Sequence, residues 1–168
     1  MQAYLLPVLQ RIRLERMNDT VIIREYEPAD KEAVMHLLRL NTPEYFASEE
    51  EADLDAYLER ERELYYVVLS GGGIVGCGGI NFADCGTTGK ISWDILHPDY
   101  QRRSLGMRLL RYRIGKLESM RSVRRITVRT SQLAYGFYEK QGFELNGIET
   151  DYWAEGFDMY FMEYKYRG

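Results

Sequence analysis

The residues best placed to do chemistry lie mid-chain. A β-rich run ends at His97-Pro98-Asp99-Tyr100, continues as Gln101-Arg102-Arg103-Ser104-Leu105-Gly106, and enters a helical pattern at Met107-Arg108-Leu109-Leu110-Arg111. The first turn of a helix carries N–H groups without intrahelical partners, and the helix dipole adds positive potential there. A phosphate or diphosphate is therefore favoured at that end. Ser104 and Gly106 are small where bulk would block a ligand's approach, and Arg102 and Arg103 add charge that a diphosphate can use. An ordinary strand-to-helix loop reads the same way, so a second signal is needed. It stands further on, in Ala134-Tyr135-Gly136-Phe137-Tyr138-Glu139-Lys140-Gln141-Gly142-Phe143, separated from the first by a basic helix and a buried strand.

Together the two segments resemble the GNAT superfamily of N-acetyltransferases, and the order of elements agrees from about Val21 to Tyr166. In that family the pyrophosphate of acetyl-CoA lies on a loop written Gln/Arg-x-x-Gly-x-Gly/Ala. Gln101, Ser104 and Gly106 fall on its named positions, with serine replacing the first glycine. The later segment follows Ala-x-x-Phe/Leu-Tyr-x-x-x-Gly-Phe through Ala134, Phe137, Tyr138, Gly142 and Phe143, and Ser131 stands where members often have asparagine. The resemblance implies acetyl-CoA as cosubstrate, with no metal. It assigns the cofactor to Ile95, Leu96, Gln101, Arg102, Arg103, Ser104, Leu105, Gly106, Met107 and Arg108, joined by Ser131 and Lys140. The cysteines, Cys77 and Cys85, and the histidines, His36 and His97, make no spaced metal-ligand set.

Acetyl transfer then assigns roles. A protonated amine, with a reference pKa near ~10.4 for a lysine-like group, must lose a proton before it attacks a thioester. The leaving thiolate, whose parent thiol has a pKa near ~8.5, can take a proton from a phenol at about ~10. The resemblance puts Tyr138 in that general-acid position. On the strand Lys90 to Leu96, alternation would put Lys90, Ser92, Asp94 and Leu96 on one face, and Asp94 is the carboxylate there. Asp94 could accept the amine proton, directly or through water, or simply pair with an arginine across the sheet; Glu44 is a second candidate base. In the family a backbone N–H near Ile95 or Leu96 stabilises the oxyanion. Glu44, Tyr45 and Phe46, between the first two helices, could hold a cationic amine by charge and cation–π contact. Tyr152-Trp153-Ala154-Glu155-Gly156-Phe157 could form the opposite wall or a homodimer contact.

These residues need a scaffold, and the composition bounds it. At 168 residues with 45% hydrophobic and 29% charged, the chain fits one domain and has no run long enough to span a membrane. The net charge of −4 argues against nucleic acid as partner. The charge is uneven: nine acids between Glu44 and Glu63 face only Arg60 and Arg62, whereas from Arg102 to Arg129 Glu118 is the lone acid. Such a division suits an amine acceptor, small molecule or peptide, on one side and a polyanionic cofactor on the other. The low cysteine count suits the cytoplasm.

Hydrophobic periodicity predicts a strand at Val21–Tyr26, a helix opened by Pro28 and ending near Leu40, and a second helix begun by a Ser48–Glu51 capping box. Two strands follow, Tyr65–Leu69 and Ile74–Phe82, joined by a Gly-rich turn, then Lys90–Leu96. A helix from Leu105 to Met120, a strand Arg125–Arg129, a short helix Ala134–Gln141 and strands Phe143–Ile148 and Asp158–Tyr166 complete the order. The expected fold is an α/β, mostly antiparallel sheet of six to seven strands with helices on both faces, one strand-helix-strand unit supplying a parallel pair. Residues 1–20 read as an extension outside the 21–168 domain, with Met17 an alternative start. The alternative functional reading is a non-catalytic acyl-CoA-binding regulatory domain.

Overall fold

The computed structural model describes residues 20–165. The leader through residue 19, Met17 included, and residues 166–168 lie outside that range. Seven strands form one sheet in the order β1-β2-β3-β4-β5-β7-β6. They are β1 (Ile22–Glu25), β2 (Leu64–Ser70), β3 (Gly73–Ala83), β4 (Thr88–Leu96), β5 (Arg125–Ser131), β6 (Phe143–Ala154) and β7 (Phe157–Tyr164). Every neighbouring pair is antiparallel except β4 with β5. The helices are α1 (Lys31–Leu40), α2 (Glu50–Ala56), α3 (Leu105–Glu118) and α4 (Tyr135–Lys140). The parallel β4–β5 pair needs a crossover, and α3 is that crossover.

The elements form where local chemistry favours them. Pro28 fixes its own φ in a 3-10 turn, Pro28–Asp30, that runs into α1. Asp30 accepts from the Glu27 N–H at 2.8 Å and is held by Arg24. Gly71 and Gly72, at φ +58° and +81°, make the two-residue link between β2 and β3 that a right-twisted hairpin requires. The capping of α2 differs from the expected box: Glu50, not Glu51, reaches back to the Ala47 N–H at 2.8 Å, while Glu51 pairs with Arg39. β6 also runs six residues beyond its expected end at Ile148, because the polar positions Glu149–Asp151 read as loop by pattern, although Glu149 pairs with Met159 and Ala154 with Phe157 of β7.

The sheet separates two cores. On one face Val34, Leu37 and Leu38 of α1 and Leu54 of α2 pack on Val67, Cys77 and Ile95. On the other, Leu109, Leu110, Ile114 and Leu117 of α3 pack on Ile80, Ile91, Ile126 and Val128. The i, i+1, i+5, i+8 spacing of the α3 set is an apolar helical stripe. One charged residue, Arg113, sits inside that stripe at 0% exposure. Among the described residues no helix is long and apolar enough to cross a membrane.

Candidate active site

β4 pairs with β5 only from Thr88↔Arg125 to Ile91↔Val128, whereas β5 stays paired with β7 as far as Ser131↔Met159. Beyond Ile91 the parallel strands part, and β4 from Ser92 to Leu96 loses its neighbour on that edge. The His97 N–H donates to Val75 O of β3 at 2.8 Å. Successive N–H groups of a strand point to opposite edges, so the Leu96 N–H faces the gap. A cleft of about 1050 Å³ occupies it.

A bulge in β4 decides which side chains reach which side. Cys77 stands opposite Ile95 and Gly79 opposite Ser92, leaving Trp93 and Asp94 together across from Gly78. Trp93 adopts φ +50° to accommodate the extra residue. The expected common face of Ser92 and Asp94 is thereby broken. Ser92 and Trp93 both turn towards the segments flanking α2, where Ser92 Oγ lies 3.1 Å from the Tyr57 hydroxyl and Trp93 stacks on Phe46 at 6.3 Å. Asp94 turns to the α3 side.

There Asp94 meets two partners. Its Oδ1 pairs with Nη2 of the buried Arg113, and its Oδ2 accepts from the Tyr138 hydroxyl at 2.5 Å. Arg113 Nη1 also donates to Gly79 O at 3.0 Å and Nε to Leu109 O at 3.3 Å. A Cβ on Gly78 would collide with Asp94 Oδ1 and lie 2.6 Å from Arg113 Nη1, so glycine there makes room for the pair. Tyr138 is packed edge-on by Phe137 and Phe143. Burial, then the Asp94 charge and the hydrogen bond to it, push the Tyr138 phenol well above its ordinary range. Thus Asp94 does pair with an arginine, though from a helix rather than across the sheet.

The loop after β4 bends through two left-handed residues, Arg102 at φ +59° and Ser104 at φ +62°. Asn41, at the end of α1, fastens it: Nδ2 donates to Leu96 O at 2.9 Å and Oδ1 accepts from Gln101 at 3.3 Å. Gly106 allows close packing, since a Cβ there would lie 3.1 Å from Leu96 and 3.5 Å from Phe137. Of the expected cofactor residues, Ile95, Leu96, Gln101, Arg102, Ser104, Gly106, Met107, Ser131 and Lys140 line the one cleft. Arg103 instead lies over the Tyr100 ring at 5.0 Å, Arg108 is exposed, and Leu105 is a core residue at 5% exposure. An unfilled strand edge, a loop bent through two left-handed residues, and the basic Arg102 and Lys140 fit an elongated anionic cofactor.

The other end of the cleft is aromatic and acidic. Tyr45, Phe46, Tyr57, Trp93, Trp153 and Phe157 line it together with Glu50, Glu61 and Glu63. Trp153 and Phe157 come from the β6–β7 hairpin, and Arg129 donates to the exposed Tyr152 hydroxyl at 2.8 Å. Glu44 is exposed on the turn after α1, outside this lining. Glu50, mostly buried, has its carboxyl raised by burial. Burial likewise raises Tyr57 to about 12, so its hydroxyl stays protonated beside Asn81 Oδ1 at 2.6 Å. Arg113, Asn41, Glu50 and Tyr57 were not singled out from sequence as site residues. Arg113 carries a legible signal nonetheless, since it lies four residues after Leu109 and four before Leu117 on the apolar stripe. Among the described residues no three His, Cys, Asp or Glu come together to hold a metal.

The parallel pair β4–β5 thus splays beside the 101–107 loop, with a buried phenol at the gap. The sequence model of the Acetyltransferase (GNAT) family matches residues 31–143, and the chain belongs to that family, whose members use acetyl-CoA. Solved structures share the fold. The ribosomal-protein-S18-alanine N-acetyltransferase from Escherichia coli superposes with a TM-score of 0.72 at 22% identity, covering 86% of this chain and 93% of that one. Ard1 from Thermoplasma volcanium gives 0.70 at 22% identity, over 85% and 95% of the two chains. An aminoglycoside 6'-N-acetyltransferase complexed with coenzyme A gives 0.69 at 19% identity, over 84% and 95%. None of the curated proteins matches the sequence.

Proposed function

We propose that this chain is an N-acetyltransferase of the cytoplasm that moves the acetyl group of acetyl-CoA to a primary amine, small molecule or peptide, by direct attack in a ternary complex and without a metal. The observation that carries the reading is the parting of β4 from β5 beyond Ile91. It brings a free strand edge, the 101–107 loop and Tyr138 to one cleft with an acidic, aromatic far end.

Acetyl-CoA supplies the activated acetyl group. Arg102, the 104–107 backbone and Lys140 hold its phosphates, and Leu96 presents its N–H to the carbonyl oxygen on which charge develops. The attacking nitrogen forms its bond to carbon as the carbon–sulfur bond breaks. Tyr138 turns its hydroxyl proton from Asp94 Oδ2 to the departing sulfur, and a proton from solvent then restores the phenol. Water takes the proton that the nitrogen sheds. Among the three candidate bases, Asp94 has both oxygens engaged and Glu44 lies outside the cleft, which leaves water as the acceptor. Tyr45, Phe46 and Trp93 offer ring faces to a cationic amine, and Glu50 an acidic partner.

Calorimetric titration with acetyl-CoA and with CoA, followed by a free-thiol-release screen of a polyamine, an amino sugar, an aromatic amine and a peptide N-terminus, tests the reading. Micromolar binding and thiol release with one acceptor class are expected. Absence of acetyl-CoA binding would overturn it.

A further inference from the structure

The mechanism above leaves a charged group unexplained: a guanidinium at 0% exposure in the middle of an apolar helix stripe. A buried ion pair is weak ground for stability, because desolvation consumes much of the Coulombic gain and well-packed apolar residues of similar volume serve as well. The neighbours of Arg113 on α3, Leu109, Leu110, Ile114 and Leu117, are all apolar. The sheet is shaped to admit the pair: a bulge turns Asp94 inward, and Gly78 leaves the space that Asp94 and Arg113 occupy.

We infer that Arg113 and Asp94 are positioning residues for Tyr138, the guanidinium fixing the Asp94 carboxylate and that carboxylate holding the Tyr138 hydroxyl at the edge where β4 and β5 part. The inference rests on the proposed acid role of Tyr138. Each link has one direction. Arg113 is tied by Leu109 O and Gly79 O and cannot swing, so it offers Nη2 to Asp94 Oδ1. Asp94 then has Oδ2 for the phenol. With both oxygens engaged, Asp94 serves as a fixed hydrogen-bond acceptor for the phenol.

The arrangement matches a need of the reaction. An amine attacks only when deprotonated, towards pH ~10, where an ordinary phenol would itself be losing its proton. The charged groups facing Tyr138 are Asp94 from β4 and Arg113 from α3, while Phe137 and Phe143 cover it from α4 and β6. On the far side of Asp94, Cys77 and Tyr65 are both raised by burial and stay uncharged. The phenol is thus kept protonated under the alkaline conditions that free the amine.

The test uses the full chain labelled with ¹³Cζ-tyrosine, the Tyr138 resonance being assigned by its loss in Tyr138→Phe. In the native protein that resonance is expected to stay un-ionised beyond the pH at which an ordinary phenol, near ~10, ionises. In the double variant Asp94→Leu/Arg113→Met, which removes both charges together and keeps the core filled, it should shift and titrate at lower pH. With the best amine of the thiol-release screen, kcat of the double variant should fall about 10- to 100-fold, with KM for acetyl-CoA changed less than about threefold. Arg113→Lys, which keeps a cation without the fork, should recover part of that loss. A folded double variant whose Tyr138 resonance and kcat match the native protein overturns the inference and makes the pair purely structural. Unchanged turnover in Tyr138→Phe overturns the acid role instead, and leaves the resonance test of the Arg113–Asp94–Tyr138 link standing.

Discussion

Ser104 is the one departure in the anion loop, and replacing it by glycine gives a sharp test of how that loop is built. Its backbone lies at φ +62°, ψ +8°. An L-residue pays about 1–2 kcal/mol to stand in the left-handed region. Glycine avoids that cost but loses about 0.5–1 kcal/mol more conformational freedom on folding. The difference leaves Ser104→Gly more stable by about 0.5–1 kcal/mol, which for a domain of this size raises Tm by roughly 1–3 °C. Ser104 is exposed and its backbone carbonyl caps the first turn of α3 by accepting from Arg108 N–H at 3.0 Å, a bond that glycine retains. Thermal unfolding followed by circular dichroism measures the shift, and calorimetry with acetyl-CoA measures binding, expected to be no weaker than in the native protein. Ser104→Ala, which keeps the Cβ and the strain, should leave Tm within about 1 °C. A fall in Tm or a loss of affinity in Ser104→Gly would refute the reasoning and give the serine hydroxyl a binding role.

Three further outcomes follow from the geometry. Tyr138→Phe should keep acetyl-CoA affinity in calorimetry and lower kcat by about 10²–10⁴-fold in thiol release. Gly78→Ala drives a Cβ into Asp94 and to 2.6 Å from Arg113 Nη1, so unfolding should show a loss of about 1–3 kcal/mol together with reduced turnover. Asp30, held by Arg24 and the Glu27 N–H, has its carboxyl lowered chiefly by the Arg24 hydrogen bond. A lowered carboxyl contributes stability that is fully present above its unfolded value near 3.8 and lost as pH falls through the folded value. Asp30→Asn should therefore cost about 1–2 kcal/mol at pH 7 in urea unfolding, and the difference should shrink below pH 3.8.

The order of elements was legible because apolar residues recur with helical spacing in α1 and α3 and cluster as β-branched and aromatic runs in β2, β4 and β5. The resemblance singled out Tyr138 and the loop from Gln101, and in the structure Gln101, Arg102, Ser104, Gly106 and Tyr138 line one cleft. What stayed hidden depends on three-dimensional register. Alternation along β4 assumes one residue per step, and the bulge at Trp93 adds one, so Asp94 lands on the face opposite to Ser92. Arg113 counts as solvated charge in any composition, and only its place in the Leu109–Leu117 stripe distinguishes it from the exposed Arg108 and Arg111. Glu50 and Glu51 are adjacent and identical, and which of them caps α2 is decided by the direction of the chain at Ala47. The length of β6 follows from pairing with β7, which no local pattern encodes.

The bulge in β4 has a consequence for how this enzyme can change. With Ser92 and Trp93 both turned one way and Asp94 the other, a single strand carries two separately mutable sets of side chains past the same reaction centre. Substitutions on the Trp93–Phe46–Tyr57 side alter the shape offered to an incoming amine without touching the side chains that govern the phenol. Deleting one residue from the strand would merge the two sets and exchange their occupants. Under the proposed mechanism an acceptor preference is redrawn by point substitution, whereas the length of β4 at this turn is tied to the Asp94–Arg113–Tyr138 contacts behind it.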